Sequence, residues 1–395
     1  MTIPPLPMTT PEDIGLSSAA LARLGTVLSG EVASGRVPGA VALIARRGRV
    51  AYFESLGRRD PANGAPMRTD TIFRIYSMTK PIVSVAAMML WEQGRFLLND
   101  PIAKYLPELA DPKVAVLRGD EIELVPALRP ITIQDLLRHT SGLTYEFRGS
   151  GPVHKMYMAA KIHNRHQSNA DQVATLSKMP LLHQPGAKWE YSRSTDVVGR
   201  LVEVLSGLRL GDYLRRNILA PLGMTDTAFH VSMSDHARLA EAFAKDPDTG
   251  AAVQLINVKE APNFESGGGG LVSTASDYAR FLQMLLNQGR LDGVRLLSRK
   301  TVELMTADHL GPITGAPDLL LPGYGFGLGF AVRLQAGIAP VPGSIGQYFW
   351  GGLAGTTFWV DPAEQLFALM LIQAPGQRDY YRTLFRDLVY AAFAD

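Results

Sequence analysis

A chain of 395 residues, 46% hydrophobic and 19% charged, carries enough apolar material for a sizeable globular core. Its 39 basic and 37 acidic residues leave a net charge of +2, which gives no electrostatic reason to expect nucleic acid or an anionic membrane as partner. Cysteine is absent, so disulfides, thiolate catalysis and cysteine-ligated metals are excluded.

In chain order, Met1 to Gly15 carry four prolines and no continuous apolar stretch, so the start does not read as a secretory signal. Ser18 to Gly35 places Leu21, Leu24, Leu28 and Val32 at helical spacing, with Gly35 as a stop. Ala40–Ala45 and Val50–Glu54 follow as a β-hairpin joined by Arg46-Arg47-Gly48-Arg49. From Ser77 to Ala261 the pattern is mainly helices and long connections. It includes Ile133–Arg138 behind a Thr132 N-cap, then Val197–Leu205 and Leu210–Leu219. Ala275–Gln288 is a further helix, Thr356–Val360 and Leu366–Ile372 are strands around an Asp361–Gln365 turn, and Arg378–Phe393 closes as a helix. The longest apolar runs, Pro81–Trp91 and Leu366–Ile372, fall short of the ~20 residues of a membrane span, so a soluble, cytoplasmic protein is expected. The pattern predicts an α/β (α+β) fold: a sheet assembled from both ends of the chain, with helical layers and a mostly helical insertion.

Ser77-Met78-Thr79-Lys80 is the leading chemical candidate. Serine and lysine three apart on a helix share a face, and a buried lysine of lowered pKa can activate a serine nucleophile. The following segment Ile82–Trp91 is apolar on nearly every side, the mark of a helix buried all round. Ser77 would then stand at the helix mouth, where backbone N–H groups favour a developing oxyanion. Tyr191, in Trp189-Glu190-Tyr191-Ser192-Arg193, is a second candidate, as a tyrosine able to exchange a proton with serine. Trp350-Gly351-Gly352-Leu353 is the third, since paired glycines let backbone approach a ligand and an adjacent N–H can complete an oxyanion hole. Gly267–Gly270 reads as a turn and His139 as a capping or core histidine. His163 and His166 lack an evident third metal ligand, and no Gly-x-Ser-x-Gly elbow occurs.

Three segments carry a resemblance: Phe73-Arg74-Ile75-Tyr76-Ser77-Met78-Thr79-Lys80, then Ile131-Thr132-Ile133-Gln134-Asp135-Leu136-Leu137-Arg138-His139-Thr140-Ser141-Gly142-Leu143, then Gly268-Gly269-Gly270-Leu271-Val272-Ser273-Thr274. In this order they resemble the class C β-lactamase and penicillin-binding-protein superfamily. Within it, Tyr191-Ser192-Arg193 and Trp350-Gly351-Gly352 are most similar to the family VIII carboxylesterases. The resemblance implies one serine β-lactamase-like catalytic domain over 11–395. Its α/β lobe would comprise about 11–75 with 265–395, and its helical lobe about 76–264. It implies Ser77 as acylated nucleophile, Lys80 and Tyr191 sharing the base role, and the N–H groups of Ser77 and Leu353 as oxyanion hole. Trp350, Gly351 and Gly352 would line the pocket, and no cofactor or metal is implied. Tryptophan in place of a third-motif lysine removes a cation for a substrate carboxylate, which favours uncharged short to medium acyl esters. Arg193, if it points inward, restores one. The alternatives are a β-lactamase or D-alanyl-peptidase, an acyltransferase or amide hydrolase on the same scaffold, and a non-catalytic binding homologue.

Overall fold

The structure is a computed structural model that describes residues 5–118, 121–315 and 319–395. The first four residues of the Pro-rich start lie outside it. The fold is built outward from one hairpin. Strands β1 (Gly39–Arg46) and β2 (Arg49–Asp60) meet at Arg47 and Gly48, whose φ values of 52° and 76° are those of the two-residue turn that matches strand twist. Strand β3 (Ala65–Pro66) extends this side. The far end of the chain supplies β4 (Tyr324–Phe326), β5 (Ala331–Arg333), β6 (Tyr348–Gly351), β7 (Thr357–Asp361) and β8 (Leu366–Ile372). The eight strands form one antiparallel sheet in the order β4-β5-β6-β7-β8-β1-β2-β3, so the two ends of the chain join where β8 pairs with β1.

Every residue of β1 is buried, because both faces of the sheet are covered and the two-residue period sends alternate side chains into different cores. Ala40, Ala42 and Ile44 pack with Leu21, Leu24 and Leu28 of α1 (Ser18–Ala33) and with Tyr381, Phe385 and Val389 of the closing helix Arg378–Tyr390. Val41, Leu43 and Ala45 face the larger core, which includes Ile82, Val85 and Met88 of α2 (Thr79–Glu92). That core continues through Val197 and Leu201 of α3 (Ser194–Ser206) and Phe281 of α4 (Ala275–Leu286); the closing helix is α5.

The middle departs from expectation in two places. Lys113–Arg118 and Glu121–Pro126 form an antiparallel hairpin where helix and loop were expected; only Val114 of its first strand is buried, so no continuous apolar face marks it. Leu210–Leu219 is helical but widens to a π-turn over Arg215–Leu219. Pro221 lies just beyond; it cannot donate to the carbonyl four residues back and its ring crowds that group, so the turn before it opens. Elsewhere the caps hold: Thr132 accepts from the Asp135 N–H and Asp135 accepts in return from the Thr132 N–H, a reciprocal box that starts Ile133–Leu137.

Asp135 does more than cap. Its carboxylate, 0% exposed, accepts from Arg129 (2.6 and 3.0 Å), Arg138 (3.1 Å) and Thr140 (2.7 Å), which clamps the start of the loop that leads to Tyr145. Burial alone would raise its pKa, but hydrogen bonds from Arg129, the Thr132 backbone and Thr140 outweigh it and hold the carboxyl at about 2. Asp135→Asn leaves two guanidinium groups without their counter-charge. Because Arg129 is partly solvated, the expected loss is about 2–3 kcal/mol of unfolding free energy in urea denaturation at pH 7. The difference from wild type is present above pH ~4 and closes as pH falls toward 2.

Candidate active site

Residue Ser77 lies in a 3₁₀ turn, Tyr76–Met78, that feeds directly into α2. Tyr76 precedes it at φ 44°, a left-handed conformation that costs a non-glycine residue and is sustained here by its buried ring and by the Ile256 N–H, which donates to its hydroxyl at 3.0 Å. The turn brings the Ser77 hydroxyl over Lys80, whose Nζ donates to Ser77 Oγ at 3.4 Å. Lys80 is 0% exposed, because α2 is buried from Thr79 through Met88.

Two groups not singled out from the sequence hold the Lys80 amine. Nζ donates to the Tyr145 hydroxyl at 2.9 Å and to the Gly268 carbonyl at 2.6 Å. It also lies 4.4 Å from the centre of the Tyr191 ring. Gly267–Gly270 does turn, and its glycines let α3 approach: a methyl at Gly267 would press on the Thr195 carbonyl. The Gly268 N–H in turn donates to Asp196 at 2.8 Å. Burial pulls the Lys80 pKa down to about 7; Asp196 raises it against that pull, and Arg193 lowers it further.

Arg193 is buried and its charge is already matched. It donates to Glu146 through Nε (3.2 Å) and in a short contact through Nη2, and to Asp196 at 3.3 Å, while its guanidinium covers the Tyr145 ring at 4.8 Å. It lines a cavity beside Ser77, but as the neutraliser of two buried carboxylates rather than as a free inward cation. His139 is fully buried against the Tyr191 ring, with its pKa driven well below 6.5 by burial and by Lys80, as fits a core residue.

The Tyr191 hydroxyl accepts from Trp350 Nε1 at 3.2 Å, and its side chain lines the same cavity as Ser77. Burial drives its pKa far up; Ser77, Trp350 and the Arg382 charge oppose this only in part, so the phenol keeps its proton at neutral pH. Gly352 passes so close to the residues before Ser77 that a methyl there would overlap Thr356 Oγ1 and the Ile75 carbonyl. The N–H groups of Ser77 and Leu353 donate to no acceptor among the described residues. The Leu353 side chain is exposed at the cleft rim.

Residue Ser77 lies between two cavities. One, of about 360 Å³, is walled by Tyr191, Trp350, Gly351, Gly352 and Phe147; the other, of about 290 Å³, by Tyr76, Tyr145, Ile256, Phe264 and Gly269. Among the described residues no group of three or more acidic or histidine side chains could hold a metal ion, and no helix is long and apolar enough to cross a membrane.

An antiparallel sheet between helical layers, with a serine and a buried lysine at the mouth of a covered helix, is the architecture of the β-lactamase-like serine hydrolases. The Beta-lactamase family profile matches residues 24–391. Protein Rv1367c of Mycobacterium tuberculosis is 38% identical over 352 residues, 86% of each chain. Esterase EstB of Burkholderia gladioli is 33% identical over 403 residues, covering 96% of this chain and 98% of its own. Among solved structures, EstCE1, described as a hydrolase with promiscuous acyltransferase activity, superposes with a TM-score of 0.78 at 28% identity over 94% of this chain and 99% of its own. The chain belongs to the Beta-lactamase family, with the β-lactamase-like fold, and is an enzyme of the β-lactamase/esterase superfamily.

Proposed function

We propose that the protein is a carboxylesterase that acts through an acyl-enzyme on Ser77. The observation that carries this reading is a fully buried lysine amine placed 3.4 Å from a serine hydroxyl; burial pulls such an amine's pKa down, here to about 7. A lysine in that state is half neutral at physiological pH and can accept the hydroxyl proton, which an ordinary lysine cannot. Tyr191, protonated and next to Ser77, suits the complementary task of giving a proton to the departing alkoxide. The base role expected for the pair is thereby divided, with Lys80 as base and Tyr191 as acid in the acylation step. Ser77 attacks the ester carbonyl, the N–H groups of Ser77 and Leu353 receive the oxyanion, and the alcohol leaves. Water then attacks the acyl-enzyme with the roles reversed: the Tyr191 phenolate left by acylation takes the water's proton, the Lys80 ammonium returns one to Ser77 Oγ, the acid leaves, and both groups are restored. The esterase relative EstB supports this choice of substrate class.

The cavity walled by Tyr76, Ile256 and Phe264 fits short to medium acyl chains, and Trp350 occupies the place of a third-motif cation. The experiment is a series of p-nitrophenyl esters from acetate to octanoate run beside nitrocefin. The expected result is kcat/KM for the better esters at least ~100-fold above nitrocefin; equal turnover of the two overturns the esterase reading in favour of a β-lactamase. A second reading, acyl transfer to an alcohol, is favoured by the transferase activity in the description of EstCE1. Adding an alcohol acceptor to the same assay and measuring the new ester by mass separates the two.

Gly352→Ala tests the oxyanion assignment. The added methyl must displace Thr356 or the Ile75 carbonyl, which moves the Leu353 N–H. Loss of one such donor costs about 10²–10³ in kcat, so a fall of that order with KM changed less is expected in steady-state assays.

A further inference from the structure

The same active site holds a pair of cations that the proposed ester chemistry does not use. Arg378 and Arg382 both line the larger cavity, on the side of Trp350 and Gly352. They stand four residues apart in α5, on one helix face, an arrangement that costs stability through like-charge repulsion. The only carboxylate in ion-pair contact with either, among the described residues, is Asp379, at 3.6 Å from Arg378 and 3.3 Å from Arg382; its side chain is 79% exposed. A solvated partner of that kind offsets little of the charge.

Arg382 is the more confined of the two. Its Nη2 donates to the Gly352 carbonyl at 2.5 Å, and its Nε is buried without a partner among the described residues. Burial holds its pKa down to about 10, with Asp379 opposing. An unpaired buried guanidinium N–H is costly, and a carboxylate offers two oxygens matched to its geometry. Arg148, which also lines this cavity, is within 4.0 Å of Glu190 and is not counted in the pair.

Which part of a substrate meets these cations follows from the proton donor. Tyr191 lines the larger cavity and not the smaller one. A leaving alkoxide protonated by Tyr191 must lie on Tyr191's side of Ser77, so the alcohol portion of the ester occupies the larger cavity and the acyl portion the smaller. We propose that the alcohol portion of the preferred substrate, or the acceptor alcohol in a transfer reaction, carries a carboxylate bound by Arg378 and Arg382. This rests on the Ser77 and Tyr191 roles proposed above. The third-motif tryptophan then does not abolish anion recognition; it transfers it to the first turns of α5.

The test compares the butyryl esters of 4-hydroxybenzoate and 4-hydroxybenzamide, which differ in charge at one position of the alcohol. The readout is the ratio of their kcat/KM values. In the wild type the carboxylate ester is expected to be favoured by about tenfold or more at low ionic strength, with the preference shrinking as salt is added. Arg378→Gln and Arg382→Gln should each lower the ratio by about tenfold, chiefly through KM for the carboxylate ester, and Arg378→Lys should retain part of it. Arg382 also holds the Gly352 carbonyl, so the Arg378 variants guard against a purely structural effect. A wild-type ratio at or below one overturns the carboxylate site while leaving the esterase reading intact. So does a ratio unchanged in both glutamine variants. Absence of turnover of both esters, with Ser77 unlabelled by a fluorophosphonate, removes the esterase reading and the carboxylate site with it.

Discussion

Ser77→Ala is expected to lower kcat/KM toward a p-nitrophenyl ester by about 10⁴-fold or more, because the variant has no atom with which to form the acyl-enzyme. The substitution separates chemistry from folding unusually well. The hydroxyl is half-buried in the cleft, and its hydrogen bond from Lys80 is long at 3.4 Å. Lys80 keeps its closer acceptors, Tyr145 and Gly268, when the hydroxyl is gone. The change in stability should therefore stay within about 1 kcal/mol. Residual catalysis over water is expected, since the oxyanion donors and both cavities remain. Intact-mass measurement after fluorophosphonate treatment supplies the second readout: one adduct on the wild type, none on the variant. Wild-type turnover by folded Ser77→Ala removes Ser77 from the mechanism.

What could be read in the sequence was what neighbouring residues decide together. The Ser77–Lys80 spacing, the apolar run after it and the Arg47-Gly48 turn are local, and each appears in the structure within a residue or two of its expected place. That one sheet is assembled from both ends of the chain was legible because strand patterns bracket a helical middle; that β8 and β1 are the strands that meet was not, since no local pattern reports a partner so far along the chain. Tyr145 and the Gly268 carbonyl were not legible as partners of the amine. They lie 65 and 188 residues from Lys80 in the chain and meet it only because the loop clamped by Asp135 and the glycine run beside α3 converge on α2. Arg193 shows the same limit from the other side. Asp196 stands three residues ahead on α3, at ion-pair spacing that was not read as such, and Glu146, 47 residues back, completes the neutralisation, which no short-range pattern reports. The hairpin of Lys113–Arg118 and Glu121–Pro126 was missed because nearly all its strand residues are exposed or half-exposed and lack a dominant apolar face.

For Lys80, one amine should govern two independent measurements. If the neutral amine accepts the Ser77 proton, kcat/KM must fall with unit slope below about pH 7, where Nζ is protonated, and level off above it. His139 does not supply that limb, since its own titration is driven well below the ordinary histidine value. Lys80→Met is expected to lower kcat/KM by about 10³-fold, within the range of a lost general base, and to abolish the acid limb. Stability gives the second measurement. The folded-state pKa of about 7 lies below the ordinary lysine value of 10.5, so between these pH values the unfolded chain binds one proton more than the folded one. Wild-type stability must therefore rise with pH across that window, and the full cost of burying the amine applies below about pH 7. Methionine fills similar space without a charge, and its variant lacks this slope. Melting temperatures of the two proteins, followed from pH 10 downward, should diverge in favour of Lys80→Met until about pH 7 and run parallel below it. A kinetic limb that survives the substitution, or melting curves that run parallel over the whole range, would mean that the buried amine is charged at neutral pH and that the serine is activated by another group.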